Sequence, residues 1–134
     1  MSTSTVSISR RSDIVSRVLD FVDLAKPRIG TFVFLVVLAS CYAATNGTCS
    51  LATMFAAAFG TLLVGASASA MNHWIERHLD RRMVRTVDRP LASGRLSSTE
   101  ALIFATVTML AGSALLLCTN NTAAVLWGAA NWAA

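Results

Sequence analysis

Long apolar stretches divide this chain, and polar or turn-forming residues separate them. Uncharged, mostly apolar runs cover residues 29–45, 51–71 and 101–118, and another begins at 122 and continues to 134. A helix needs about 20 apolar residues, with about 17 as the lower limit, to cross the roughly 30 Å hydrocarbon layer of a membrane. The pattern therefore predicts three complete spanning helices and the start of a fourth.

The N-terminal segment has a different pattern. Residues 1–12 are rich in Ser and Thr and contain no acidic residue, so we expect a disordered tail. In residues 13–25 apolar side chains recur at helical spacing, which predicts an amphipathic helix that lies on the membrane surface or packs on a neighbouring loop. Pro27 then opens the first span, because the first turn of a helix tolerates a missing N–H. Residues 13–134 are expected to belong to one domain and to form its N-terminal part.

The second span is rich in small residues spaced about four apart: Ala56, Gly60, Gly65 and Ser69. Small residues let helices approach closely in lipid, so we expect this helix to be central in its bundle. Its helical phase should continue into Asn72–Asp80. The loop of residues 72–99 ends at a Ser97-x-x-Glu100 sequence, which matches the capping box that begins a helix.

Composition and charge agree with a membrane protein. The chain of 134 residues is 54% hydrophobic and 13% charged, whereas soluble domains carry about 25% charged residues. All eleven Lys and Arg lie in residues 10–28 or in the 72–99 loop. Positive charge marks the cytoplasmic side, so the N-terminus and this loop are expected there. Basic and aromatic residues do not alternate, which argues against a nucleic-acid partner. The sequence predicts an all-α, polytopic membrane helix bundle.

The candidate chemistry lies at the end of the second span. Asn72, Glu76 and Asp80 recur every four residues, so a helix would place their side chains on one face within about 12 Å. Oxygen ligands of this kind suit Mg²⁺, which is commonly held by one or two carboxylates plus substrate phosphates. The arginines that follow are suited to phosphate oxygens, and they are Arg85, Arg89 and Arg95. Charged residues at the inner end of a membrane helix also occur in loops that bind nothing, so spacing alone leaves both interpretations open.

The sequence resembles a known family in two places. Leu24-Ala25-Lys26-Pro27-Arg28-Ile29 is followed, after two spans, by the string N-x-x-x-E-x-x-x-D-x-x-M-x-R-T-x-x-R-P-L-x-x-G-R of residues 72–95. Together they resemble the UbiA-type intramembrane prenyltransferases. The part from Met83 to Leu91 is similar to the branch of that superfamily that farnesylates haem. The resemblance covers most of the chain, from about residue 19 to residue 134.

This resemblance implies a fold of about nine spans around a central cavity. It implies that Asn72, Glu76 and Asp80 bind Mg²⁺ and, through it, the diphosphate of farnesyl diphosphate. The residues that it implies for neutralising the departing diphosphate are Lys26, Arg28, Arg85 and Arg89. The vinyl group of haem B would capture the farnesyl cation, and water would complete the product. The compartment implied is the bacterial inner membrane, with the mitochondrial inner membrane as the alternative.

The chain departs from the family pattern in two respects. Glu76 stands where the family commonly has Asp, which lengthens one metal ligand by a methylene. The second acidic motif of the family has no counterpart, because Glu100 is the only acid after Asp88. We therefore expect an N-terminal part of such an enzyme, inactive alone, that needs a missing C-terminal half or a separate chain. The alternatives are a prenyltransferase for a quinone or chlorin precursor, and a non-catalytic membrane fragment whose basic loop contacts anionic lipid.

Three aromatic residues inside the motif are expected to lie at the membrane interface rather than to bind haem. His73 and His78 are five residues apart, so they point to different helix faces, and we expect solvated interfacial positions rather than haem ligation. Trp74 stands at the inner end of the second span, where tryptophan commonly anchors a helix at the membrane interface.

Overall fold

The described part of the chain consists of helices joined by turns and one longer loop. The computed structural model describes residues 4–119 together with Leu126 and Ala130. Its helices are α1 (Ser4–Ala25), α2 (Pro27–Ala44), α3 (Leu51–Asp80) and α4 (Ser98–Cys118). Helices α2, α3 and α4 are each long and apolar enough to cross a membrane. This confirms the predicted all-α membrane bundle, while the predicted fourth span at 122–134 lies outside the described residues apart from Leu126 and Ala130.

Helix α1 begins earlier than the sequence suggested. It starts at Ser4, whereas a disordered tail was expected through residue 12. No glycine or proline precedes Pro27, so no residue of the strongly helix-breaking types interrupts this segment. Leu24 is fully buried against the rest of the protein, while Ile14 and Val18 are exposed on another face of the helix.

A single residue, Lys26, separates α1 from α2. Its backbone is left-handed, with φ 49° and ψ 65°. The ring of Pro27 disfavours the right-handed helical conformation in the preceding residue, so a continuous helix cannot form there. Pro27 occupies the first turn of α2, as expected.

Helices α2 and α3 form an antiparallel hairpin. Phe34 packs on Phe59 and Phe55, with ring centroids 4.9 and 6.3 Å apart. Nearer the start of α2, Gly30 faces Leu62 so closely that a Cβ on Gly30 would lie 2.7 Å from the Leu62 side chain. Contacts that move forward along α2 therefore move backward along α3, and the start of α2 lies beside the middle of α3.

Helices α3 and α4 form a second, tighter antiparallel hairpin. The two backbones approach at Gly60 and Gly112, where a Cβ on Gly112 would lie 2.8 Å from the Gly60 carbonyl oxygen. Two turns further along α3, the Ser67 hydroxyl donates a 2.6 Å hydrogen bond to the Ala105 carbonyl. Helix α3 therefore lies between α2 and α4, which confirms its predicted central position.

Helix α3 is longer than the layer it would cross. Its 30 residues span about 45 Å, against roughly 30 Å of hydrocarbon. With Leu51 at one edge of that layer, the last turns of the helix, from about residue 72, extend beyond the other edge. The helical phase continues through Asp80, as expected.

The buried core lies at this inner end of the bundle. It joins α1, the end of α3, the loop and the start of α4, through Leu24, Ala70, Leu91, Leu96, Ala101 and Ala105. Helix α4 begins with the predicted capping box, in which the Ser97 hydroxyl accepts from the Glu100 amide and the Glu100 carboxylate accepts from the Ser97 amide. The core thus holds the 81–97 loop against the end of α3.

Candidate functional site

The loop after α3 folds back on the helix that precedes it. The Thr86 hydroxyl donates to the Asp80 carbonyl at 3.1 Å, and the Arg81 Nε donates to the Ala92 carbonyl at 3.2 Å. Within this loop, the side chains of Pro90, Leu91 and Ala92 are buried. These contacts bring Arg89 beside the carboxylates of α3.

Arg89 joins the two acids of the predicted motif. Its Nη1 donates to both carboxylate oxygens of Asp80, at 3.0 and 2.8 Å, and lies 3.4 Å from Oε2 of Glu76. Asp80 is only 5% exposed, whereas Glu76 is exposed. The guanidinium therefore lies where the two carboxylates converge and offsets the charge of a buried acid.

Asn72 is the first of the three motif residues along α3. It lies on α3 one turn before Glu76, and it is exposed. From Asn72 through Glu76 to Asp80 the motif thus passes from exposed to buried positions. The structure places the three residues along one helix face and brings the two carboxylates together on Arg89.

The predicted cationic residues differ in their surroundings. Arg28 and Arg85 are exposed and form no ion pair within the described residues. Lys26 lies at the α1–α2 junction, where it lines a cleft between α2 and α3. Arg95 is engaged elsewhere, because its Nε donates to Asp20 at 2.9 Å and its Nη2 donates to the Asp88 carbonyl at 2.8 Å. Arg95 therefore ties α1 to the loop.

The carboxylates of Glu76 and Asp80 can supply some of the oxygen ligands of a hard cation, but not a complete set. Glu76 and Asp80 converge on a position that one guanidinium nitrogen already approaches, so the pair is arranged around positive charge. Within residues 4–119, no group of three His, Cys, Asp or Glu side chains forms a complete metal site. Mg²⁺ commonly takes one or two carboxylates plus water and substrate phosphate oxygens. The donors present fit that mode of binding.

The surroundings of His73 depart from the sequence prediction. His73 is only 5% exposed, so the expected solvated position is wrong, while His78 is exposed as expected. His73 follows the buried Ala66 and Ala70 by seven and three residues, a spacing that signals the same buried face. Trp74 is partly buried against the inner core, and the Arg77 guanidinium lies 4.4 Å from its ring centroid. Its role as an interfacial anchor stays a prediction.

The cleft between α2 and α3 adjoins this site. Its volume is about 230 Å³, and its walls are mostly apolar side chains and glycine. Three polar residues line it, Lys26 from the α1–α2 junction and Thr61 and Ser69 from α3. The Ser69 hydroxyl is buried and has no hydrogen-bond partner among the described residues. The cleft therefore has mostly apolar walls, and the Ser69 hydroxyl that lines it is available to a ligand.

Comparison with known proteins defines the class to which this fold and site belong. The chain belongs to the UbiA prenyltransferase family, whose model matches residues 33–134. It is similar to the Protoheme IX farnesyltransferase of Legionella pneumophila strain Corby, with 41% identity over 108 residues, which cover 80% of this chain and 37% of that protein.

Two further relatives bear closely related names. The Protoheme IX farnesyltransferase of Saccharophagus degradans is 35% identical over 98 residues, covering 73% of this chain and 32% of that protein. Protoheme IX farnesyltransferase 1 of Pseudomonas fluorescens strain Pf0-1 is 37% identical over 102 residues, covering 76% and 34%. The chain thus spans about a third of the length of the curated relatives it matches. No solved structure matches it.

Proposed function

We propose that this chain provides the diphosphate-binding part of an enzyme that transfers a farnesyl group from farnesyl diphosphate to a vinyl group of haem B, giving haem O. The names of the relatives support this assignment, and so does the motif at the inner end of α3. The single observation on which the proposal rests is the convergence of Glu76 and Asp80 on Arg89.

The convergent acids are the proposed Mg²⁺ site, with Asn72, Glu76 and Asp80 as the protein ligands. The metal would supply positive charge that stabilises the diphosphate as a leaving group. Because the chain offers only two carboxylates here, oxygens of the diphosphate itself would complete the coordination. Binding of metal and diphosphate should therefore depend on each other.

Four basic residues are proposed to balance the remaining charge: Lys26, Arg28, Arg85 and Arg89. Such groups act by stabilising charge as it develops on the departing oxygens. In the proposed reaction the bond between farnesyl C1 and oxygen breaks, and diphosphate leaves with the electron pair. A new C–C bond forms to one vinyl carbon of haem B, water adds to the other vinyl carbon, and a proton is released.

The compartment belongs to the same proposal. Because all Lys and Arg lie in the N-terminal segment or the 72–99 loop, we place both on the cytoplasmic side of a bacterial inner membrane. A mitochondrial inner membrane would give the same arrangement relative to the matrix.

The first test is binding rather than turnover, because the chain spans about a third of its relatives. The chain is reconstituted in zwitterionic nanodiscs, and its affinity for farnesyl diphosphate is measured with and without Mg²⁺. Asp80→Asn should weaken Mg²⁺-dependent binding by about tenfold or more, because a charged metal ligand is lost. Asp88→Asn removes the same charge from an exposed position in the same loop and should leave the affinity within about threefold.

Equal losses in the two variants would contradict the proposal. In that case total charge, rather than a defined site, would govern binding, and a fragment whose basic loop contacts anionic lipid would be favoured. A quinone or chlorin acceptor would be favoured instead if the diphosphate site behaves as proposed but haem B does not bind to the complete enzyme.

A further inference from the structure

One buried side chain at the site has no role in the arrangement described so far. His73 is only 5% exposed, and neither of its ring nitrogens has a hydrogen-bond partner among the described residues. A buried polar group without a partner is costly, and native proteins rarely leave one unpaired. Both ring nitrogens of His73 are therefore available to a hydrogen-bond partner outside the described residues.

His73 lies between the cleft and the acidic pair. Ser69, His73, Glu76 and Asp80 follow one another at intervals of four, three and four residues, which places them on one face of α3. Ser69 lines the α2–α3 cleft, and its buried hydroxyl also has no partner among the described residues. The unpaired polar groups thus continue along this face from the cleft to the carboxylates.

The charged groups around the ring include one cation that has no partner among the described residues. The charged groups close enough to act on the imidazole are Arg89, Lys26, Asp80 and Glu76. The two carboxylates are already paired with Arg89. The Lys26 ammonium forms no hydrogen bond or ion pair within residues 4–119, so it is the group left to attract an anion. The Lys26 backbone is in the left-handed conformation before Pro27.

We propose that His73 is a substrate-binding residue that donates an N–H hydrogen bond to a phosphate oxygen of the prenyl diphosphate, with Lys26 beside it. This role rests on the proposed function and extends it. The diphosphate would lie between the metal-binding carboxylates and the cleft, and the first carbons of the prenyl chain would enter the cleft. A cleft of about 230 Å³ is below the roughly 300–1,000 Å³ that encloses a drug-sized ligand, so it suits a chain end rather than a porphyrin.

The histidine content of the chain allows a direct test in the unaltered protein. The chain has two histidines, so a sample labelled with ¹⁵N-histidine gives signals from His73 and His78 only. The His78→Gln variant identifies the His73 signals. Inorganic pyrophosphate and then farnesyl diphosphate, each with Mg²⁺, are titrated into the full chain in zwitterionic nanodiscs. The His73 ring signals should shift and saturate at the ligand concentration that saturates binding.

Variants test whether the N–H group is what matters. His73→Phe keeps a ring but no donor, and it should weaken pyrophosphate binding by about tenfold or more. His73→Gln keeps an N–H donor and should bind within about threefold of the original chain. His78→Phe, an exposed position on the same helix, is the matched control and should not change the affinity. Far-UV circular dichroism checks that each variant is folded.

The outcomes separate this role from the proposed function. If Asp80→Asn weakens binding but the His73 signals stay fixed at saturation, the diphosphate site stands and the role of His73 is overturned. Equal losses in His73→Phe and His73→Gln would overturn it too, as would shifts caused by anionic lipid or haem B but not by pyrophosphate. If the full chain binds neither pyrophosphate nor farnesyl diphosphate, both the proposed function and the role of His73 fail.

Discussion

Arg89 joins two carboxylates at the inner end of α3. It pairs with a buried carboxylate and an exposed one, so it offsets part of their negative charge. A loop arginine nine residues after Asp80 reaches back to it because Thr86 and Arg81 fold the loop against the helix end. Removing the guanidinium would leave the Asp80 charge buried and unpaired.

We predict that Arg89→Ala lowers the free energy of unfolding by about 1–3 kcal/mol. The loss should stay below that of a fully buried ion pair, because the Arg89 side chain is 29% exposed and water reaches it. Unfolding in mixed micelles, followed by circular dichroism, measures the change. Arg85→Ala is the control, because Arg85 is exposed and unpaired among the described residues, and it should change stability by no more than about 0.5 kcal/mol. Equal effects would show that the Arg89 pairs contribute nothing.

At the scale of elements, the α3–α4 hairpin depends on glycine for its close approach. Gly60 and Gly112 bring the two backbones together where no side chain fits between them. In lipid, apolar burial gives little driving force between helices, so direct packing of this kind stabilises the pair. Gly65 lies on the same helix but faces open space. The pattern of small residues therefore contains one glycine that packs against α4 and one that does not.

We predict opposite effects for the same substitution at these two glycines. In Gly60→Ala the new methyl would lie 2.9 Å from the Leu116 side chain and 3.1 Å from the Gly112 carbonyl, so overpacking should destabilise the chain by about 1–3 kcal/mol. Gly65→Ala adds a methyl in open space and should stabilise α3 by up to about 1 kcal/mol. The same unfolding measurement compares them. The packing argument is wrong if Gly60→Ala is as stable as Gly65→Ala.

At the scale of the whole molecule, the two antiparallel hairpins separate two ends of the bundle. The turn between α2 and α3 lies at one end together with the end of α4. The α1–α2 junction, the motif and the 81–97 loop lie at the other end with the buried core. The basic residues from Arg17 to Arg95 fall at this second end, so the charge rule for membrane topology and the fold define the same two sides.

Labelling of the native cysteines can determine which end of the bundle faces the outside of the membrane. Cys49 precedes α3 and Cys118 ends α4, whereas Cys41 lies inside α2, and all three are free. In right-side-out vesicles a membrane-impermeant maleimide should label Cys49 and Cys118. Val84→Cys adds a thiol at a 95% exposed loop position and should be labelled only after permeabilisation. Mass spectrometry of the peptides identifies each site, and labelling of Val84→Cys in sealed vesicles would reverse the proposed orientation.

Much of the fold followed from local patterns. Apolar run length predicted the spans that became α2, α3 and α4, and the Ser97–Glu100 capping box marked the start of α4. These features depend on residues within a few turns of each other, so a single sequence contains them. The start of α1 at Ser4 was missed because its Ser and Thr residues favour disorder by composition but do not stop a helix.

The sequence by itself determined that Asn72, Glu76 and Asp80 share one face of a helix that extends past the membrane core. Helical periodicity and the length of the apolar run can both be read from the sequence without any tertiary contact. Only the tertiary structure decided which basic side chains pair with these acids. Arg89 pairs with Asp80 while Arg95 is held by Asp20, since loop turns and contacts from α1 place these groups. The burial of His73 was likewise decided by tertiary packing, because exposure depends on which segments cover a helix face and not on the residue itself.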